Sequence, residues 1–163
     1  MKKTKEIISD KVSAVNQILP HTNKWAWDLF IDGAANNWMP TEISMAKDIE
    51  QRRGDSLTED EKLVIKRSLG FFAGSESLVA NNLLLSVFKF VTDPECRQYI
   101  LRQAYEESLH NLTVVYCCDS LGLDIEEVYE AYNSIPSIKA KDTFLMNICT
   151  DINRVDFNIN TLE

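Results

Sequence analysis

Glycine and proline are scarce in this chain, five and four residues among 163. A fold assembled from many tight turns is therefore excluded, and long helices are favoured. Histidine is scarcer still: the chain has two, His21 and His110, and none follows residue 110. The four cysteines, Cys96, Cys117, Cys118 and Cys149, form no Cys-x-x-Cys pair. Thiols and imidazoles so widely spaced do not suit a zinc site, and the cysteines read as small core hydrophobes in a reducing cytoplasm. Positive charge is in deficit. The net charge of −8 argues against nucleic acid, which requires a basic patch to neutralise phosphates. No apolar run reaches the ~18 residues needed to span a bilayer. The Met1-Lys2-Lys3-Thr4-Lys5 start leads into mixed polar sequence instead of an apolar stretch, so no secretory signal is expected. The expected location is the cytoplasm.

What the chain does have is hydrophobic content, 45% of residues, in a length sufficient for one domain with a core. Residues 1–23 read as an arm with short helical character, broken at Pro20, and residues 24–163 as the folded part. Lys24 to Phe30 is an aromatic-rich packing segment, followed by a loop through Gly33 to Pro40. Thr41 is expected to open a short helix to about Asp48. Thr58 and Glu61 have the spacing of a capping box, with acids at 59 and 60 favouring the positive end of a helix. A long helix is predicted from there over 58–91. Thr92-Asp93-Pro94 stops it and begins a second long helix over 94–121, with Pro94 at the first helical position and Gly122 just past the end. Shorter helices follow over 125–132 and 137–150, and the stretch from Asp151 to Glu163 reads as an extended strap. Long helices joined by short links imply an all-α antiparallel bundle.

The apolar stripes of the two long helices are interrupted by ligand-type residues. The first reads Leu69, Phe72, Glu76, Val79, Leu83, and the second Ile100, Gln103, Glu107, His110, Val114, Cys117, Leu121. Residues three apart share a helix face, so Glu107 and His110 can grip one ion together. An ionised carboxylate in a bundle core costs several kcal/mol unless a cation or hydrogen bonds compensate. Oxygen donors with an imidazole suit manganese or iron better than zinc. The same residues also admit a plain reading, in which the acids are solvated on a helix face and His110 is a satisfied side chain. Glu-x-x-His is a weak motif on its own.

Four segments carry a more specific signal: Lys24-Trp25-Ala26-Trp27; Asn36 to Ile43, reading Asn-Asn-Trp-Met-Pro-Thr-Glu-Ile; Gly70-Phe71-Phe72 with Glu76-Ser77; and Arg102 to His110. Together and in this order, the chain resembles the amino-terminal half of the radical-generating small subunit of class I ribonucleotide reductase. The likeness is greatest to the subgroup with a mixed manganese/iron centre, and it runs from about residue 20 to the end. The resemblance implies a ferritin-like helical bundle, here an N-terminal half-bundle. It implies Glu76 as a terminal carboxylate ligand, Glu107 as the bridging carboxylate and His110 as the imidazole ligand of a di-metal centre, Mn/Fe in preference to Fe/Fe. Trp38 corresponds to the tryptophan that relays an electron towards the large catalytic subunit, and Glu42 to a surface acid associated with that relay. As a residue alone, Trp38 in a Trp-Met-Pro turn reads equally as a packing anchor.

Two departures qualify the likeness. The family's radical tyrosine lies four residues after the ligand histidine, and here that residue is Val114, which cannot hold a stable radical. Tyr116 falls about 200° further round the helix and is expected to pack elsewhere. The second helix pair, with its further Glu and second Glu-x-x-His, has no counterpart, nor does the family's C-terminal docking tail. Three readings follow. In the first, a complementary C-terminal half chain completes a split small subunit, an oligomer that serves ribonucleotide reduction to deoxyribonucleotides with the large subunit and is inactive as an isolated chain. In the second, two copies pair to give a homodimeric, oxidase-like metal site. In the third, the chain is a non-catalytic helical remnant.

Overall fold

The computed structural model describes residues 5–9 and 14–159. Among them the regular structure is helical: α1 (Lys24–Ala35), a 3-10 turn (Pro40–Glu42), α2 (Ala46–Arg53), α3 (Glu59–Asn82), α4 (Pro94–Leu121), α5 (Ile125–Tyr129), α6 (Ala131–Ser134) and α7 (Pro136–Asp151). Its β pairing is an isolated antiparallel bridge between Ile8 and Val91. The all-α expectation holds. No helix among the described residues is long and apolar enough to cross a membrane.

The helix starts follow local chemistry. At α3 the Glu61 carboxylate accepts from the Thr58 amide at 2.8 Å while the Thr58 hydroxyl accepts from the Glu61 amide at 3.3 Å, a reciprocal capping box. Asp93 caps α4 by accepting from the amides of Glu95 and Cys96 at 3.0 and 2.9 Å. The end of α4 is equally local. Gly122 takes φ of 63°, and the Leu123 amide donates to the Cys118 carbonyl at 2.9 Å, which closes the last turn.

Other boundaries differ from expectation, the largest differences for a tertiary reason. The helix expected through Val91 remains α-helical only to Asn82, widens into a π turn over Leu83–Val87, and stops. Nothing in its sequence breaks it. Instead the Arg97 guanidinium donates to the carbonyls of Phe88 and Val91 and lies 3.9 Å from the Phe88 ring centre, while Val91 pairs with Ile8. The loop expected from Gly33 is the last turn of α1, where the Arg102 guanidinium donates to the Gly33 carbonyl at 2.7 Å. A glycine there costs about 1 kcal/mol relative to alanine, and packing outweighs it. The short helix after Thr41 resolves into the 3-10 turn and α2, and the helix expected over 125–132 divides at Glu130 into α5 and α6. The described part of the arm holds no helix: Ile8 pairs with Val91, and Thr22 and Asn23 are held by Glu95. After α7 the chain turns instead of extending. The Asn153 side chain donates to the Ser86 hydroxyl at 2.6 Å, and the Phe157 ring lies tilted against that of Phe90, centroids 5.2 Å apart; residues 160–163 of that stretch lie outside the described residues.

The chain divides into two compact units, and α3, α4 and α7 each contribute to both. In the first unit, Ala26, Val91 and Cys96 form the core, with Val87 and Ile100 against them. Burial and the neighbouring Asp93 and Glu95 push the Cys96 thiol up to about 12, consistent with an inert core residue. Glu95 is fully buried beside this core. It accepts from the amides of Thr22 and Asn23 at 2.9 and 2.8 Å, from His21 Nδ1 at 2.6 Å and from the Thr22 hydroxyl at 3.2 Å. In the second unit the core is Ala73, Val114, Cys118 and Val128. Gly70 lets α3 approach α6 closely, since a Cβ there would lie 2.5 Å from that of Ala131.

Candidate metal centre

Within the second unit α3 and α4 run antiparallel. Ala73 clusters with Val114 and Cys118, and one turn further along α3, Glu76 and Ser77 meet His110 and Asn111 of α4. Antiparallel pairing with i, i+3 spacing on α4 thus gathers Glu76, Glu107 and His110. His110 Nδ1 lies 3.1 Å from Glu76 Oε2 and 3.1 Å from Glu107 Oε2, and one ligand atom from each of the three residues falls within 4.8 Å of the others. Second contacts steady the frame: Ser77 donates to the Asn111 side-chain oxygen at 3.2 Å, and the Asn111 amide group donates to the Glu107 carbonyl at 3.1 Å.

The electrostatics of the group suit a positive charge. Burial raises the Glu107 pKa, the Glu76 carboxylate raises it further, and His110 only partly offsets them. Burial disfavours the imidazolium of His110, but hydrogen bonds to Glu76 and Glu107, with their charges, outweigh it and pull the His110 pKa up. Side chains of Glu76 and Glu107 are 18% and 11% exposed, whereas that of His110 is 43% exposed. The group is therefore half open, and Phe72, one turn before Glu76, is exposed beside it. Two crowded carboxylates and an imidazole fit a divalent manganese or iron ion, whose charge would relieve the repulsion that raises Glu107.

The other expected residues sit nearby with distinct roles. The Trp38 ring lies against His110, centroids 6.2 Å apart. Glu42 is exposed and turns back to accept from the Met39 amide at 3.1 Å, closing the 3-10 turn that follows Trp38. Val114 is buried in the core cluster. Tyr116 points away to another partner, its hydroxyl donating to the Ile43 carbonyl at 2.7 Å, and so ties the Trp38–Ile43 segment to α4. Burial raises the thiols of Cys117 and Cys118 above their ordinary range. One residue had no forewarning. Asp142 of α7 is buried with neither carboxylate oxygen hydrogen-bonded among the described residues, and burial raises its pKa. Its Oδ2 lies against α3 at Gly74, where a Cβ would approach to 3.1 Å. An acid with two exposed neighbours on a polar helix gives no sign in sequence of such a position.

Comparison with known proteins gives a consistent result. The family model for "Ribonucleotide reductase, small chain" matches residues 15–161. The chain is 52% identical over 149 residues to the ribonucleoside-diphosphate reductase subunit beta of Chlamydia pneumoniae, covering 91% of this chain and 43% of that one. It is 28% identical over 155 residues to the small chain of Plasmodium falciparum (isolate Dd2), covering 93% and 44%. The ribonucleotide reductase R2 subunit from Clostridium botulinum superimposes with a TM-score of 0.82 at 22% identity, over 92% of this chain and 47% of that structure. The fold is thus the ferritin-like one expected, matching just under half of that structure. The chain spans less than half the length of the curated relatives it matches.

Proposed function

Since this chain belongs to the ribonucleotide reductase small-chain family, we propose that it supplies one half of a di-metal centre, through Glu76, Glu107 and His110, to an enzyme that reduces ribonucleotides to deoxyribonucleotides. Its relative from Chlamydia pneumoniae carries the name of a ribonucleoside-diphosphate reductase subunit, which supports the reaction class. The observation that carries the reading is the convergence of three ligand atoms within 4.8 Å. Residues 24–163 act as the half-domain and residues 1–23 as its arm. A second polypeptide contributes the remaining ligands, and the large subunit contributes the ribonucleotide site.

In this reading Glu107 is the bridging ligand, Glu76 the terminal carboxylate and His110 the imidazole ligand. When bound, the metal pair, Mn/Fe in preference to Fe/Fe, would supply the oxygen chemistry and the oxidising power. Val114 offers no phenol to share it. Trp38, in ring contact with His110, passes an electron between the centre and the large subunit, and Glu42 shapes the turn that presents it. The bond from Tyr116 to Ile43 holds that segment in place.

The test is metal loading in the presence of the part of the Chlamydia pneumoniae subunit that this chain does not match, produced as a separate polypeptide. Two metal ions per one-to-one complex, by elemental analysis against sedimentation mass, are expected, with loss on Glu107→Ala or His110→Ala. Two ions per pair of identical chains, without the second polypeptide, would favour the homodimeric oxidase-like reading. No uptake in either setting would leave the non-catalytic reading.

A further inference from the structure

The second unit carries a groove of about 310 Å³ between α3 and α7, lined chiefly by Val64, Arg67, Phe71, Phe72, Ile138 and Lys141. Two of its apolar residues are open, Val64 at 64% and Phe72 at 48% exposed, whereas Phe71 is half-buried and Ile138 buried; just outside the lining, Phe144, one turn beyond Lys141 on α7, is 64% exposed. Singly such residues carry no meaning, but contiguous ones between two helices mark a contact surface. The groove's charge is equally unusual for a chain of net charge −8. Elsewhere on this stretch of α3 the cations are matched, Lys62 by Glu59 and Lys66 by Glu127. Arg67 and Lys141 have no carboxylate among the described residues. Lys141 instead lies over the Phe71 ring, 5.2 Å from its centre, so its charge is held across the groove.

We propose that this groove seats an amphipathic helix of the partner polypeptide, one that sets large apolar side chains against Val64, Phe72 and Phe144 and carboxylates against Arg67 and Lys141. An apolar floor with two unmatched cations fits an acidic amphipathic helix laid along two others. A small anion would leave the exposed apolar residues uncovered. The inference rests on the reading that a second polypeptide completes the metal centre, and it deepens that reading by naming where one segment lies and what chemistry it carries. The groove residues are distinct from the three ligands, so docking and metal uptake can be measured separately.

The probe is the unmatched part of the Chlamydia pneumoniae subunit as a separate polypeptide, titrated against the whole chain by calorimetry at low and high salt. Association is expected to weaken at least tenfold in the Arg67→Glu, Lys141→Glu double variant and in Val64→Asp, and to fall with salt only in the chain with Arg67 and Lys141 intact. Lys62→Glu, at a cation already paired, is expected to change it less than twofold. Val64, Arg67 and Lys141 are exposed and Lys62 is half-buried, and circular dichroism checks that the fold survives. Metal uptake is measured in the same mixtures. Unaltered affinity in both groove variants overturns the inference, and if metals still load, the split-site reading survives it. Weakened docking without any metal uptake supports the groove and counts against that reading. Absence of association at any concentration overturns the groove. So does inorganic phosphate binding that disappears in the double variant while polypeptide affinity stays unaltered, which would make it a small-anion site.

Discussion

The two units each bury acids beside a histidine, yet their chemistry runs in opposite directions. In the first, Glu95 is enclosed by the donors of His21, Thr22 and Asn23, and Asp93 caps α4 beside it. Burial there opposes ionisation, but the Asn23 and Thr22 amides, His21 and the Thr22 hydroxyl hold the Glu95 carboxyl down at about 2. In the second, Glu107 faces Glu76 and only one shared imidazole, and it is pushed up. An acid whose two oxygens are both met by protein donors has structural work to do. One left facing another acid is available to a ligand. Burial alone does not separate the two cases; the census of donors does.

That contrast can be broken most directly by removing the acids. Glu95→Ala strands two backbone amides and His21, so stability should fall by about 3 kcal/mol or more, read as a lower denaturation midpoint. Glu107→Ala, without metal, should change stability by less than about 1 kcal/mol or raise it, because repulsion is relieved as packing is lost. Equal losses at both positions would abolish the distinction. Next in size is the effect of metal. In the proposed complex, manganese or iron at a hundredfold excess over its dissociation constant should stabilise by about 2.7 kcal/mol, measured as a raised melting temperature. His110→Ala should remove that gain while Glu95→Gln retains it.

Acidity sharpens the comparison further. Glu95 has a depressed folded pKa, so its contribution is present above the unfolded value near 4.5 and is lost as pH falls towards 2. Glu107 and His110 have raised folded pKa values, so their contribution is present at lower pH and is lost as pH rises through those values. Stability profiles of Glu95→Gln and His110→Ala should therefore flatten on opposite limbs, the first acidic and the second near neutrality. The most local effect is expected from Tyr116→Phe, which removes one hydrogen bond to Ile43 and about 1 kcal/mol. Its sharper readout is the near-ultraviolet dichroism of Trp38, which should weaken as the 38–43 segment loosens while α4 is retained.

How much of this was legible in the chain follows from the range of each interaction. The start of α3, the limits of α4 and the turn at Gly122 are written in neighbouring residues, and they appear where the sequence puts them. Glu107 and His110 were legible from their three-residue spacing, and Glu76 from its place on an apolar stripe. By contrast, the Glu95 anchor joins residues more than 70 apart, and no local pattern in residues 21–23 announces it. The end of α3 is set by Arg97 and Ile8 from beyond the helix, so a run without proline read as longer than it is. Asp142 looked like any surface acid on α7, because Gly74, which admits it, lies on a different helix.

The widened turn at Leu83–Val87 accommodates one residue more than an ordinary helical repeat. Deleting Leu84 or Leu85, both exposed, would let the ladder re-form with regular spacing while everything towards the amino terminus, Glu76 included, keeps its angular position. The helix thus carries a spare residue downstream of Glu76, where changes of length can be absorbed without turning that carboxylate away from His110.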